Sequence, residues 1–284
     1  MVDHLKIQKS KADSFLALHH APELLILPNA WDVSSTKIFE LEGFKAMATT
    51  SAGIAATLGY ADGEKMSLRE NLVVCRRIVE NTMLPVTVDI EAGYGDSISK
   101  IANAAQSVLD IGAVGLNIED GTGDPEEPLF DRQVQVAKVR EIRKTAVTND
   151  VHLVINARTD AFLVGDPRAF ALKNAIDRGN AYKAAGADCV FIPDVGDPGK
   201  NEIRLLVAEI NAPINIIAGP GTPPVKELQD LGVSRLSLGP RPMRAVLSCL
   251  KEMAKELREC GTYDLLADSS ISYSDVNHWF SPED

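Results

Sequence analysis

The chain contains 284 residues, with 29 Lys and Arg against 40 Asp and Glu, which gives a formal net charge of −11. A hydrophobic fraction of 45% excludes a disordered or collagen-like chain, and an acidic chain without a basic cluster is not expected to bind nucleic acid. No run approaches the roughly 18 to 20 apolar residues of a membrane helix, and residues 1–10 lack a signal-peptide core, so we expect a cytoplasmic protein.

Eight short apolar runs, rich in β-branched residues, recur between helix-like stretches. Most of them lack the polar alternation of a half-exposed strand, which is typical of parallel strands buried on both faces. The runs lie at 24–27, 46–50, 86–90, 114–118, 153–157, 189–192, 214–218 and 235–238.

The segments between the runs predict helices. Residues 67–81 carry spaced apolar positions among charges, Pro167 follows Asp166 at a helix start, and Ala-Ala-Gly-Ala at 184–187 indicates a helix end. Eight βα repeats predict an α/β fold, a (β/α)8 TIM-type barrel that forms a single domain over 1–284. An open, doubly wound sheet is the alternative. Residues 240–284 form a C-terminal helical extension, with a helix from 241 to about 260 and a polar tail.

Polar residues at the carboxyl ends of the predicted strands indicate the active site, because barrels of this type build their sites there. One end supplies an arginine and several supply carboxylates. The residues expected at this mouth are Asn29, Thr50, Ser51, Asp89, Glu91, Glu119, Asp120, Arg158, Asp160, Asp194 and Asn215.

The chemistry of these side chains predicts a divalent metal. Clustered carboxylates repel one another unless a cation holds them ionised, and oxygen ligands without Cys or His favour Mg2+ or Mn2+ over zinc. Asp89 and Glu91 alone could form a solvated loop end, but Glu119 and Asp120 at the next strand favour a metal site. Arg158 alone is equally well explained as a salt-bridge partner of these acids.

Other residue types do not indicate a site. Gly-Tyr-Gly at 93–95 predicts a tight turn rather than a phosphate loop. The four cysteines are widely spaced, which argues against a zinc site or a disulfide framework. The five histidines lie away from the strand ends, which argues against a serine hydrolase.

Five stretches of sequence resemble the isocitrate lyase and phosphoenolpyruvate mutase superfamily, and the resemblance extends from about residue 25 to residue 253. It implies a Mg2+ ion that chelates a 2-oxo or 2-hydroxy acid, and a last helix exchanged between subunits of a homotetramer. The stretches are Leu-Pro-Asn-Ala-Trp-Asp at 27–32, Thr-Thr-Ser-Ala-Gly at 49–53, Val-Asp-Ile-Glu-Ala-Gly-Tyr-Gly at 88–95, Asn-Ile-Glu-Asp at 117–120 and Asn-Ala-Arg-Thr-Asp-Ala at 156–161.

The resemblance also implies roles for individual residues. Asp89 matches the direct metal ligand, while Glu91, Glu119 and Asp62 match carboxylates that reach the ion mostly through water. Arg158, which matches the arginine that clamps substrate oxygens, is expected to act in catalysis with Glu119 and Asp62.

A second group of matched residues is implied to bind the substrate. Thr50, Ser51 and Ala52 match the segment whose amides and hydroxyl hold the substrate carboxylate. Asn215 matches a polar group on the far side of the pocket.

The chain also departs from the family pattern. The isocitrate and methylisocitrate lyases carry a Lys-Lys/Arg-Cys-Gly-His segment after the fourth strand, and the mutases carry a Lys and an Asn there and a His near the sixth strand end. Residues 121–130 of this chain, Gly-Thr-Gly-Asp-Pro-Glu-Glu-Pro-Leu-Phe, contain none of the characteristic Cys, Lys, Asn or His. Both specialised activities are therefore in doubt, whereas stabilisation of an enolate is shared chemistry.

The leading hypothesis is a Mg2+-dependent carbon–carbon lyase or decarboxylase that acts on a small 2-oxo or 2-hydroxy dicarboxylic acid through a metal-stabilised enolate. One alternative is a phosphonate enzyme, a mutase or hydrolase of phosphonopyruvate or a relative, and another is a catalytically silent binding barrel. The segment 121–131 is either a lid over the substrate, with Glu126 or Glu127 facing the pocket, or a rigid turn. The substrate and the general acid or base stay open.

Overall fold

The computed structural model describes residues 2–195, 199–267 and 271–281. Its strands are β1 (Leu25–Leu27), β2 (Asn29–Ala30), β3 (Met47–Thr49), β4 (Val86–Asp89), β5 (Gly115–Glu119), β6 (Val154–Arg158), β7 (Cys189–Ile192), β8 (Ile214–Ile217) and β9 (Arg235–Ser237). Its helices are α1 (Val2–Leu18), α2 (Val33–Leu41), α3 (Ser51–Leu58), α4 (Leu68–Glu80), α5 (Ile98–Asp110), α6 (Arg132–Thr148), α7 (Arg168–Ala185), α8 (Lys200–Glu209), α9 (Val225–Asp230), α10 (Arg241–Cys260), α11 (Asp264–Ala267) and α12 (Tyr273–Trp279).

The nine strands are all parallel and form one sheet in the order β1-β9-β8-β7-β6-β5-β4-β3-β2. Only Pro28 separates β1 from β2, and proline has no N–H to donate to a ladder, so the two are halves of one interrupted barrel strand. Because β1 pairs with β9 and β2 pairs with β3, this strand brings the two edges together. The predicted TIM-type barrel is confirmed, and the open sheet is wrong.

Asn29 ties the two edges together beside Pro28. Its side-chain oxygen accepts hydrogen bonds of 2.8 Å from the backbone N–H of both Leu238 and Gly239, and its side-chain nitrogen donates to the carbonyl of Thr49 at 2.9 Å. The fully buried amide thereby replaces ladder bonds that a short first strand cannot make.

The helix α1 closes the barrel at the amino ends of the strands. Phe15 is fully buried, and its ring lies 3.0 Å from where a Cβ would stand on Gly115, the first residue of β5. His19 stacks edge-on against Phe15, with ring centroids 4.7 Å apart. With its amino end filled, the barrel has its polar mouth at the opposite end.

The helix boundaries follow the local signals in the sequence. Ser67 and Glu70 form a capping box at the start of α4, and Gly186 ends α7 with φ 115°, a left-handed conformation that favours glycine. Pro167 is the N-cap of α7, immediately before its first residue. The predicted helices at these positions are therefore present within one or two residues of their expected bounds.

The chain divides into two compact units, 1–240 and 241–284. In the second unit, α10 has the predicted bounds and carries exposed apolar side chains along its length. The predicted polar tail contains α12, because Ser272 and Asp275 form a capping box that starts a helix there. Among the described residues, no helix is both long and apolar enough to cross a membrane.

Candidate active site

Three neighbouring strands end in charged residues at the same rim of the barrel. Asp89 is the last residue of β4, Glu119 of β5 and Arg158 of β6, and Glu119 is paired with Arg158 in the ladder. Since side chains alternate along a strand, the buried Thr87, Asn117 and Asn156 two positions earlier face the same interior. The barrel thus brings together the acids and the arginine that the sequence indicated.

Asp89 is held by the segment that follows β3. The backbone N–H and the hydroxyl of Ser51 both donate to Asp89 Oδ2, at 3.2 and 2.7 Å. Thr50 is buried and caps α3 by accepting from the N–H of Gly53, and Ala52 is the second residue of the same helix. The first turn of α3 therefore meets the rim, where its amide groups favour a negative charge.

Glu91 follows β4 in a left-handed conformation, with φ 48°. Its two carboxylate oxygens accept hydrogen bonds from the Tyr94 hydroxyl at 2.6 Å and from the backbone N–H of Glu64 at 2.5 Å. Burial raises the pKa of Glu91 to about 7, with the nearby charge of Asp89 adding to the shift and the Tyr94 hydroxyl opposing it.

Asp62 and Glu119 are affected by the same accumulation of negative charge. Asp62 belongs to an exposed segment, but partial burial of its carboxyl group and the charge of Asp89 raise its pKa. Burial also raises the pKa of Glu119 well above its usual range, although Arg158 opposes this shift. The charge of Asp89 therefore disfavours the ionisation of all three other predicted ligands, Asp62, Glu91 and Glu119.

Arg158 forms a fork between two carboxylates. Its Nε and Nη2 donate to the two oxygens of Asp160 at 2.5 and 2.9 Å, and its Nη1 lies 2.6 Å from Glu119 Oε2. Burial opposes the charged form, but Glu119 and Asp160 together raise the pKa of Arg158. Arg158 is thus a salt-bridge partner of the neighbouring acids, as one of the two interpretations of the sequence held. The two ion pairs also hold its guanidinium at the rim of the barrel.

Two residues expected at the mouth, Asp120 and Asn215, lie elsewhere, and a third, Asp194, is exposed in the loop after β7. Asp120 is fully buried, accepts from Arg178 at 3.0 Å and from the Tyr182 hydroxyl at 2.5 Å, and so belongs to the helix layer. Asn215 is the second residue of β8 and fully buried, so its placement at a strand end is wrong. Asp194 is exposed, with φ 53°.

The segment after β5 forms a compact hairpin. Gly121 and Leu129 make an antiparallel bridge, and the N–H of Thr122 donates to the carbonyl of Pro128 at 3.0 Å. Glu126 and Glu127 are both exposed. The hydrogen bonds fit the rigid-turn interpretation in this conformation, and closure over a substrate stays a prediction.

The base of this hairpin is joined to the Glu91 turn by Lys138. The Lys138 ammonium lies 3.7 Å from the centroid of the Phe130 ring and donates to the carbonyl of Ala92 at 2.9 Å. Burial lowers the pKa of Lys138, while the surrounding carboxylates oppose the shift. The predicted tight turn at 93–95 is present, with Gly93 at φ 103° and Tyr94 at φ 53°.

With the geometry described, comparison with known proteins identifies the family. The model of the phosphoenolpyruvate phosphomutase family matches residues 15–258. The chain belongs to this family. The resemblance seen in the sequence motifs is therefore confirmed, and with it the assignment to an enzyme superfamily that contains carbon–carbon lyases.

Individual relatives agree with this assignment. An uncharacterized protein of Mycobacterium tuberculosis is 34% identical over 247 residues, which cover 87% of this chain and 89% of that protein. A 2-methylisocitrate lyase of Halalkalibacterium halodurans is 31% identical over 221 residues, or 75% of this chain and 69% of that protein. A solved structure from Burkholderia cenocepacia J2315 has a TM-score of 0.91 at 32% identity and covers 98% of both chains.

The residues at the rim fit a hard divalent cation. All candidate ligands are carboxylates, and burial together with the charge of Asp89 raises the pKa values of Asp62, Glu91 and Glu119, a shift that a nearby cation would oppose. Within the described part of the chain, no three Asp, Glu, His or Cys side chains converge closely enough to ligate one ion directly. Mg2+ usually retains several water ligands, so it needs few direct protein ligands.

The sequence did not indicate several residues that the structure brings to the site. Asp160 was noted as a strand-end acid, but its bidentate bond to Arg158 was not foreseen, and Glu64 had no signal beyond its nearness to Asp62. Arg235 is fully buried inside the barrel, with long contacts of 3.4 Å to Asn117 Oδ1 and 3.5 Å to His19 Nε2. An arginine at the first position of the predicted strand 235–238, where a buried residue is expected, is the available signal.

The buried pair of Asp120 and Arg178 is expected to stabilise the fold rather than bind a ligand. Asp120→Asn keeps the shape but leaves the Arg178 charge uncompensated, so we expect a loss of about 3 kcal/mol in the free energy of unfolding. Urea unfolding measures this loss. Asp230→Asn, which breaks an exposed pair with Lys226, is the control and should change little. Equal stability of the two variants would contradict the assignment.

Proposed function

We propose that the chain is a Mg2+-dependent carbon–carbon lyase or decarboxylase that acts on a small 2-oxo or 2-hydroxy dicarboxylic acid in the cytoplasm. The observation that carries the proposal is the set of acids at one rim of the barrel, with Arg158 bonded to Glu119 and Asp160 among them. Such a set is costly to assemble without a cation, which also argues against a silent binding barrel.

Different residues of the chain would bind the cation, bind the substrate and stabilise the developing charge. Asp89, assisted by Asp62, Glu91 and Glu119, would hold the cation, which when bound polarises a substrate oxygen. In the first turn of α3 the N–H of Ser51 donates to Asp89 and that of Gly53 to Thr50, so the N–H of Ala52 would be the group that binds a substrate carboxylate. Arg158, whose guanidinium is already held at the rim by Glu119 and Asp160, would stabilise the negative charge that develops on the substrate as a bond breaks.

Asp160 holds the guanidinium group of Arg158 in one orientation. Two parallel hydrogen bonds from Nε and Nη2 hold the guanidinium plane, and this fork geometry cannot be reproduced by a lysine. Gly121 stands beside this pair, since a Cβ there would lie 2.6 Å from Asp160 Oδ2. The hairpin at 121–130 therefore begins against the arginine clamp and could exclude water from it.

Neither the two buried cysteines, Cys75 and Cys189, nor the hairpin supports a cysteine acid or base. Burial raises the pKa of Cys75 and of Cys189 to about 12, so neither thiol ionises readily, and the hairpin contains no cysteine. Loss of CO2 needs no such group at the leaving atom, because an enolate remains that has only to be protonated. This favours a small dicarboxylate substrate over a methylisocitrate-like one, despite the relative of that name.

A phosphonate enzyme is the second candidate. The match to the phosphoenolpyruvate phosphomutase family over residues 15–258 favours it. The acids Glu126 and Glu127 oppose it if the hairpin closes, because they would then face the pocket and repel the additional negative charge of a phosphonate.

A substrate panel tests the proposal. The protein is incubated with Mg2+ and oxaloacetate, substituted malates, methylisocitrate or phosphonopyruvate, and the products are identified. We expect turnover of a small dicarboxylate, its loss in excess chelator, and its loss in Asp89→Ala with unchanged circular dichroism. Asp13→Ala on the exposed face of α1 is the control and should retain full turnover. Full turnover with chelator present would refute metal dependence, and turnover of phosphonopyruvate alone would favour the second candidate.

Arg158→Lys should reduce turnover at least about tenfold, because a point charge cannot reproduce the planar fork that spans Asp160 and Glu119. Steady-state kinetics on the substrate identified above measures the change, with melting temperature recorded in parallel. Arg168→Lys, at an exposed pair with Glu202, is the matched control and should retain the wild-type rate. An unchanged rate in Arg158→Lys would remove this arginine from the site.

We also propose that the chain forms a homotetramer. The exposed side chains of Val246, Leu247, Leu250 and Leu257 give α10 an apolar surface of the kind that subunit interfaces cover. Sedimentation at micromolar concentration should show a tetramer, and Leu250→Glu should lower the assembly state because it buries a charge in the contact. A well-behaved, active wild-type monomer would contradict the proposal.

A further inference from the structure

The segment that carries Asp62 is an exposed connection between α3 and α4. Residues 59–65 are all exposed, so packing alone does not hold Asp62 in place. Met66, which is almost completely buried, anchors only the end of the segment that leads into α4. The position of Asp62 relative to the rim must therefore come from specific bonds.

Two hydrogen bonds join this segment to the turn after β4, and both involve Glu64. Its backbone N–H donates to Glu91 Oε2 at 2.5 Å, and its carboxylate oxygen Oε1 accepts from the backbone N–H of Tyr94 at 2.7 Å. Tyr94 in turn donates its hydroxyl to the other oxygen of Glu91 at 2.6 Å. Glu64, Glu91 and Tyr94 thus form a closed clip between two loops.

The three residues of the clip have left-handed backbone, a conformation that residues other than glycine rarely adopt. Five non-glycine residues in the described chain have positive φ, and three of them are Glu64 at 56°, Glu91 at 48° and Tyr94 at 53°. Left-handed backbone in residues with a Cβ is retained only where the surrounding structure compensates for it, and it concentrates at functional sites. Three such residues bonded to one another indicate that the clip has a role beyond connecting two helices.

We propose that Glu64 is a positioning residue of the metal site, whose carboxylate holds the Asp62 segment against the Glu91 turn and so sets the affinity for the divalent cation. This inference rests on the proposed function. Glu64 itself contacts neither the ion nor the substrate. Its effect passes through Asp62 and Glu91, and outer carboxylate contacts of this kind typically change metal affinity by about 10- to 100-fold when removed.

Two variants that differ by one methylene test the proposal. Glu64→Gln keeps the length and the acceptor oxygen for the Tyr94 N–H, whereas Glu64→Asn is too short to reach it. Both remove the same charge, and asparagine adopts left-handed backbone more readily than glutamine does, so neither charge nor backbone strain would explain weaker metal binding by Glu64→Asn. Mn2+ affinity is measured by electron paramagnetic resonance of the free ion in the wild type, in both variants and in Asp89→Ala. The control is Asp150→Asn, which changes another exposed acidic residue with left-handed backbone.

We expect Glu64→Asn to bind Mn2+ at least about tenfold more weakly than Glu64→Gln, with equal melting temperatures in the absence of metal. In turnover assays, saturating Mg2+ should restore the activity of Glu64→Asn, because this variant is expected to differ only in its affinity for the metal ion. Equal affinity of the two variants would overturn the role of Glu64 while leaving the proposed function intact. Wild-type protein that binds Mn2+ no better than Asp89→Ala would overturn the proposed metal site and this inference with it.

Discussion

A closed parallel barrel brings the carboxyl ends of its strands to one rim, and this geometric constraint governs the rest of the site. Asp89 and Glu119 end neighbouring strands, so their charges cannot be separated without opening the sheet. The surrounding structure supplies donors to each acid, from Ser51 to Asp89 and from Tyr94 to Glu91. Arg158 offsets Glu119 directly, yet burial and the charges of Asp160 and Asp89 keep the pKa of Glu119 raised, and a cation at the rim would oppose that shift.

Below the rim, the interior of the barrel is unusually polar. Burial lowers the pKa of Arg235 to about 10, and no carboxylate among the described residues pairs with it. Its guanidinium lies between Asn117, which also accepts from Asn156 at 2.8 Å, and His19. Because His19 Nδ1 bonds to the carbonyl of Phe15, its Nε2 is left to accept from Arg235. Burial and this cation lower the pKa of His19 to about 3, which keeps it neutral.

Two adjacent acids in the sequence, Glu119 and Asp120, have different roles, one at the candidate site and one in the stability of the fold. Glu119 and Asp120 are neighbours, but side chains alternate along a strand, so Glu119 points to the mouth while Asp120 meets Arg178 and Tyr182 behind the sheet. Asp120 also accepts from the N–H of Asp160, so the structural pair supports the residue that orients Arg158. Stability and site geometry are linked through one buried carboxylate.

The sequence by itself determined the barrel, its strands to within a residue or two, and the convergence of Asp89, Glu119 and Arg158, because hydrophobic runs, caps and strand ends are local patterns. Its interpretation of 93–95 as a tight turn was also correct. Only the tertiary structure decided that Asn215 lies inside the barrel, that Asp160 clamps Arg158 and that Glu64 joins two loops. Each of these depends on distances set by how the strands close and the loops meet, and the spacing of residues along the chain does not encode such distances.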